Sequence, residues 1–492
     1  MLRELGQNVR NNITVFLINI FIAVMVLCCV MPIIFSDNTG GNAGSGRILF
    51  SIISSVTCLA CLLIVVISSF VQTGKQRKEN DLMFASAMSP WSLITGKWLS
   101  GAVMTLILLS LSAPFIAVAY LLRGIDIQDI LTALINTFVS IQLLNAAGIS
   151  FASMAKTQGM SSLAVFIGAF AVIYSGMGVM FLPLMFSASG HSALMPVWIV
   201  EALYITALLS LTLLFLFIGS AGLSPLTSNR LLPVRIMVTV EFLLSLGLIY
   251  FLSSSPYAPL FNPATIWFVL WTTLTVLILL LTVHEREQWC FRIRRTIPKN
   301  FIIRLLCFPF YTGSPCGIIW TILLFAAAFA VFFVSTAPSP SAIDVFLPAL
   351  FIVVFAFDYC ITAMLIQSKL DPHRQFPVCG TVLALLLFFT LGSFILSFFF
   401  FASSAEFLDN EFYIAYRDSV LAALNPFMLF DNSGGNLFIP IAGAAIWFLL
   451  LLPCFAVWFV RRVRHFTLLG SDDTMTLEQA IEAVQQAEAN VR

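Results

Sequence analysis

The chain has 492 residues, 60% of them hydrophobic and 10% charged, with a mean hydropathy of +1.01 and a formal net charge of +1. A water-soluble chain carries roughly 45–50% apolar and about 25% charged residues, so this composition excludes a string of soluble domains, a disordered chain and a secreted disulfide scaffold. The near balance of 24 Lys+Arg against 23 Asp+Glu argues against nucleic acid as a partner. What remains is an all-α polytopic membrane protein.

A helix needs roughly 20 apolar residues to cross the hydrocarbon core. Runs of that length, bounded by Pro, Gly and charges, predict about twelve transmembrane helices. They lie at 14–34, 48–71, 98–122, 130–153, 161–186, 196–219, 234–252, 263–283, 316–335, 344–366, 377–402 and 436–460. The first run is longer than the h-region of a signal peptide, so it is expected to stay as a span. Ahead of it, Leu5 and Val9 among Arg3, Glu4 and Arg10 suit a short interfacial helix or, equally, a plain charged flank. In the second run Cys58-x-x-Cys61 has redox spacing, but an apolar helix disfavours the thiolate, and packing is the expected role.

The segment 72–98, QTGKQRKENDLMFASAMSPWSLITGKW, separates the second and third runs. Its front is charged (Lys75, Arg77, Lys78, Glu79, Asp81), and Leu82, Met83, Phe84, Ala85, Ala87 and Met88 then suit a short helix on the membrane face. Ser89-Pro90 has the chemistry of a helix start, a cap followed by a first-turn proline. Gly96-Lys97-Trp98 opens the next run with residues that anchor at the interface. By physics alone, an ordinary charged loop that only sets orientation explains the segment equally well.

Further along, Ala164, Gly168 and Gly176 give the fifth run a small-residue stripe for close packing. The loop 284–315 holds RIRRTIPKN, a candidate for anionic headgroups or a topology signal, and an apolar piece from Phe301 to Tyr311 that could dock a partner. The loop 403–435 is acidic, with Tyr413, Ile414, Val420, Leu421 and Leu424 at helical spacing, and suits a solvated cap. Residues 466–492 form a tail whose part from 474 on suits an amphipathic helix.

Three acids fall inside runs: Glu201, Glu241 and Asp358. Intramembrane carboxylates are costly and often mark proton or substrate paths. Glu201 and Glu241 lie close enough to run ends to reach interfacial water, whereas Asp358 is deeper, beside Tyr359, Cys360 and Thr362.

Orientation follows from the basic residues. Alternate loops and both termini hold 21 Lys and Arg, and the other set holds only Arg47, Arg123 and Arg417. The positive-inside rule therefore predicts both termini in the cytoplasm and an even number of spans. With the acids included, inner segments total +10, outer ones −6 and the runs −3, so the net +1 hides a charge gradient across a membrane.

No G-x-x-x-x-G-K-[ST] loop is present, since Gly96-Lys97 is followed by Trp98. The four histidines, His191, His284, His373 and His465, are scattered, so no metal site and no cofactor is expected. No G-x-S-x-G elbow occurs, and no catalytic residues are assigned.

The frame from Lys78 to Lys97 — charges, a short apolar helix, Ser-Pro, five variable residues, then Gly-Lys opening a span — resembles the type-2 permease family of bacterial ATP-binding-cassette (ABC) exporters. SAPFIAVAYLLRGIDIQDI at 112–130 is similar to uncharacterised members of that group. One departure is Asp81-Leu82-Met83-Phe84, where members often carry Gly-Thr-x-Glu. The resemblance implies a multi-pass permease subunit in the bacterial inner membrane, without ATP binding of its own. Its implied partners are a separate ATPase subunit, membrane lipid and a second permease chain. Arg77, Lys78, Glu79, Leu82, Phe84, Met88, Ser89, Pro90, Gly96 and Lys97 are then the ATPase-coupling segment. The implied organisation is a six-helix half over 1–230, another over 231–465, and the tail 466–492. The resemblance also implies a re-entrant or interfacial outer helix within 403–435, where a solvated cap fits equally well. An ATP-independent, proton-coupled secondary transporter using the three acids is the alternative, and a membrane scaffold is a third class.

Overall fold

The computed structural model describes residues 12–35, 45–66, 89–122, 125–154, 197–224, 228–253, 263–283, 291–336, 340–370 and 438–463, together with isolated positions between them. Among these residues there is no strand.

The helices, in chain order, are α1 (Asn12–Phe35), α2 (Ser45–Cys61), α3 (Pro90–Leu121), α4 (Ile127–Met154), α5 (Val197–Leu223) and α6 (Leu232–Ser253). They continue with α7 (Pro263–Val283), α8 (Phe291–Arg294), α9 (Phe301–Cys307), α10 (Ser314–Thr336), α11 (Pro340–Leu370) and α12 (Phe438–Val463). Eight of the described helices are long and apolar enough to cross a membrane, and Thr14–Val30 and Ala264–Leu280 are shorter apolar stretches. The chain is a helical, multi-pass membrane protein. Ten of the expected spans fall on described helices; those at 161–186 and, apart from Val382 and Leu385, 377–402 lie outside the described residues, as do the N-terminal flank apart from Gly6, the loop 403–435 and the tail from 467.

Two boundaries differ from expectation. The second helix closes with a π-turn at Leu62–Val66, whose Leu62, Ile64, Val65 and Val66 are buried. The third span does not begin at 98 but is one unbroken helix of 32 residues from Pro90. A single helical glycine costs only about 1 kcal/mol, so Gly96 does not interrupt a helix that Ser89 and Pro90 start firmly.

The chain divides into two compact units, Met1–Pro225 with Pro233–Glu241, and Leu226–Leu232 with Phe242–Arg492. In the first unit α4 packs most extensively on α5, and α3 lies against α2, α4 and α5. One cluster, including Met25, Ile53, Cys61, Leu108 and Ile141, joins α1 to α4. A second, Ile94, Ala146, Ile149, Leu216 and Leu223, joins α3, α4 and α5. Helices in lipid gain no hydrophobic drive toward each other, so close approach of small residues has to supply the attraction. Gly219 does this on α5: a Cβ there would stand 3.3 Å from the Ser150 Cα of α4.

In the second unit α7 packs on α10 and α11, and α11 on α12. Phe268 stacks on Phe332 at 4.4 Å between ring centroids. Ser245 on α6 binds α7 through one hydroxyl, which accepts from both the Trp267 Nε1 (2.9 Å) and the Trp271 Nε1 (3.0 Å).

Both units turn large apolar side chains outward, such as Leu106 and Leu121 on α3, Leu243, Leu244 and Phe251 on α6, and Leu449 and Leu450 on α12. Patches of that extent are incompatible with water and suit lipid.

Candidate functional site

The start of α3 follows from its local sequence. Ser89 is extended (φ −72°, ψ 142°), and its Oγ accepts from the Ser92 backbone N–H at 3.2 Å. Pro90 fills the first turn, where no N–H is needed. Trp91 stacks on Phe217 of α5 at 4.5 Å, which docks this first turn on the bundle. At about 1.5 Å per residue the helix is roughly 48 Å long, well beyond the ~30 Å hydrocarbon core.

Lys97 departs from its expected role. It is buried within the protein rather than open to solvent, and its Nζ donates to the Thr73 Oγ1 at 3.3 Å. Thr73 in turn donates to the Ser69 carbonyl at 2.7 Å. The reason is periodicity. Ile94, Lys97, Gly101, Met104 and Leu108 share one stripe of α3, and that stripe packs inward. The consequence is that Thr73 and Lys97, at the two ends of the candidate coupling segment, are tied side by side. Arg77, Lys78, Glu79, Leu82, Phe84 and Met88 lie outside the described residues. Gly96 is half-buried beside the tie, and Ser89 is exposed.

Behind Lys97, α3 and α4 meet along a polar seam that sequence reasoning missed. The Gln142 Nε2 donates to the Thr105 Oγ1 (3.2 Å), and the Asn145 Nδ2 donates to the Trp98 carbonyl (3.3 Å). The Trp98 Nε1 donates back to the Gln142 carbonyl at 3.3 Å. Gly101 makes room for this exchange, since a Cβ there would stand 2.2 Å from the Asn145 Nδ2. Three oxygens of the seam, Ser100 Oγ, Gln142 Oε1 and Asn145 Oδ1, are buried without a hydrogen-bond partner. A signal was present: Gln142 and Asn145 are neutral amides at i, i+3 inside an apolar run, a spacing that puts both on one helix face.

The three acids sit on three different helices. Glu201 is half-buried at the start of α5, and Glu241 is half-buried on α6 with Oε1 unpartnered. Asp358, on α11 of the second unit, is fully buried, and neither carboxylate oxygen has a hydrogen-bond partner. Around it lie Phe355, Tyr359, Cys360 and Ile361 of the α11 core. Cys58 and Cys61 are buried free thiols, in keeping with a packing role. Among the described residues no three of His, Cys, Asp and Glu gather into a metal-binding group. The four histidines lie outside the described residues.

No protein-family model matches the chain, and no curated protein or solved structure shows significant similarity to it.

Proposed function

We propose that the chain is the membrane-spanning permease subunit of an ABC transporter of the type-2 exporter kind, driven by ATP hydrolysis on a separate ATPase subunit. The observation that carries this reading is the Lys97–Thr73 tie at the base of the Lys78–Lys97 frame. A segment docked into an ATPase transmits force only if its ends are anchored to the bundle, and here both ends meet within one hydrogen bond. Motion of residues 74–88 would be delivered to α3, which continues for 32 residues with Pro114 inside its later half. The seam of Trp98, Gln142 and Asn145 would pass it to α4. Nucleotide-dependent docking would then favour one of two arrangements of the helices, in the population-shift sense. On this reading the chain has twelve spans in two six-helix halves, both termini in the cytoplasm and a place in the bacterial inner membrane. It holds no catalytic residue or cofactor.

The test is purification of the full chain from its native membrane in mild detergent. A phosphate-loop ATPase recovered in near-stoichiometric amount supports the reading. The cap variants separate a specific role from misfolding: Ser89→Ala should loosen the start of α3 by about 1 kcal/mol, and Ser89→Asp should restore it. If no ATPase is recovered, or if removing residues 79–86 leaves recovery unchanged, the reading fails.

A second reading rests on Asp358. A fully buried carboxyl without a partner is costly in a span and suits a proton-coupled carrier. Uptake or efflux driven by a pH gradient in vesicles lacking any ATPase would favour it. Asp358→Asn should abolish that flux.

A further inference from the structure

Between α7 and α10 the second unit builds a compact elbow. Its first fastening is Glu285, just past the end of α7, whose Oε2 accepts from the Gly313 N–H at 2.8 Å. Gly313 has φ 136°, which only glycine adopts readily, and it turns the chain into α10 at Ser314. Tyr311 donates its hydroxyl to the Thr296 carbonyl at 2.7 Å, and the Asn229 Nδ2 donates to the Phe310 carbonyl at 3.2 Å. Ile293, Ile297, Phe308, Tyr311, Cys316 and Phe466 close a small core of their own. The elbow is therefore held level with the membrane ends of α7 and α10.

One part of it touches this core only through Cys307, its last residue. Helix α9 has seven residues and none is buried. Phe301 is 67% exposed, Ile302 72%, Ile303 46%, Leu305 64% and Leu306 68%. At about 100° per residue, these five side chains cover an arc of about 200°, and Arg304 falls in the remainder. A protein groove covers a stripe of roughly 100° on a helix. An apolar arc twice as wide needs a medium that surrounds the helix, and hydrocarbon does so. The helix is about 10 Å long, far too short to cross the bilayer.

The stretch that carries α9 is basic, and the nearest acids in sequence are Glu287 and Glu285, the latter engaged by Gly313. From residue 288 to 313 there are five basic residues and no acid. Arg295 and Lys299 are exposed in the turn just before the helix, and the Arg304 guanidinium lies 5.7 Å from the centre of the Phe301 ring.

We propose that α9 is an interfacial wedge, sunk in the leaflet where α7 and α10 leave the membrane, and that Arg295, Lys299 and Arg304 around it hold the headgroup of an anionic phospholipid. The apolar arc sets the depth and the cations select the lipid, the combination expected of a monotopic helix. The inference does not depend on an ATPase partner and would stand if the permease reading failed.

The test uses the full chain in vesicles of equal phosphatidylglycerol and phosphatidylethanolamine, with a benzophenone amino acid in place of Ile302 or of Leu306. After irradiation, mass spectrometry identifies what each position has captured. The expected result is a phospholipid adduct at both positions, with phosphatidylglycerol enriched at least threefold. Arg295→Gln with Lys299→Gln, both at exposed positions that folding tolerates, should return the adducts to the bulk ratio. Arg295→Lys with Lys299→Arg should keep the enrichment. Adducts to protein, or no lipid adduct at either position, overturn the wedge. Equal capture of the two lipids by the parent chain, or enrichment that survives the glutamine pair, overturns the headgroup site.

Discussion

Gly101→Ala is the sharpest probe of the α3–α4 seam. The new methyl group would stand 2.2 Å from the Asn145 Nδ2 and 2.9 Å from its Cγ, whereas ordinary contact begins near 3.4 Å. The amide therefore has to retreat by about 1.2 Å. Asn145 is fully buried, and its bond to the Trp98 carbonyl is already 3.3 Å long, so the retreat breaks it. Overpacking of this kind costs about 1–3 kcal/mol, and a lost interhelical hydrogen bond in a membrane about 0.6 kcal/mol more. The helix propensity of alanine returns about 1 kcal/mol, which leaves a net loss of about 2 kcal/mol. Asn145→Ala in the same chain removes the obstacle while keeping the propensity gain. The double variant should thus be more stable than Gly101→Ala alone, with a coupling near 2 kcal/mol. Equilibrium unfolding of the purified chain in mixed micelles, titrated with a denaturing detergent and followed by circular dichroism, measures all four proteins. If Gly101→Ala is as stable as the parent, or if the two effects add within about 0.5 kcal/mol, the seam is not packed as described.

Three further outcomes are expected. Ser245→Ala leaves the Trp267 and Trp271 indole N–H groups without their acceptor and should cost about 1–3 kcal/mol in the same titration, while Ser245→Thr should cost much less. Lys97→Met keeps an apolar stem in the packed stripe but cuts the tie to Thr73; trypsin cleavage at Lys75, Arg77 and Lys78 should accelerate several-fold while unfolding stability changes by less than about 1 kcal/mol. Asp358→Asn removes a carboxylate that has no partner to strand, so stability should fall by no more than about 1 kcal/mol; a loss of about 3–5 kcal/mol in the micelle titration would reveal a buried ion pair instead.

Hydropathy placed the long helices well because every backbone polar group in lipid must be satisfied locally, which leaves a run of apolar residues little choice but helix. The expected span at 263–283 coincides with α7, and those at 316–335 and 234–252 differ from α10 and α6 by one or two residues at each end. The same measure could not tell which face of a helix meets protein. Lys97 looked like an interfacial anchor because lysine near a run end normally reaches for water. Its fate was decided instead by Ile94, Gly101 and Met104, which place position 97 on the packed stripe. Gln142 and Asn145 were overlooked for a related reason: neutral amides hardly lower the mean hydropathy of a 28-residue helix, yet they determine where it adheres.

The elbow shows the converse. Its apolar piece is visible as Phe301 to Tyr311, but the sequence alone suggests only that it could dock a partner, with lipid headgroups a candidate for the basic run before it. Folding splits that piece in two. Phe308, Pro309 and Tyr311 turn into the elbow core, while Phe301, Ile302, Leu305 and Leu306 remain outside. A docking surface for a protein would be expected to keep both parts on one face. Here the inner part packs the corner between α7 and α10, and the outer part stays exposed, free to meet the bilayer as proposed.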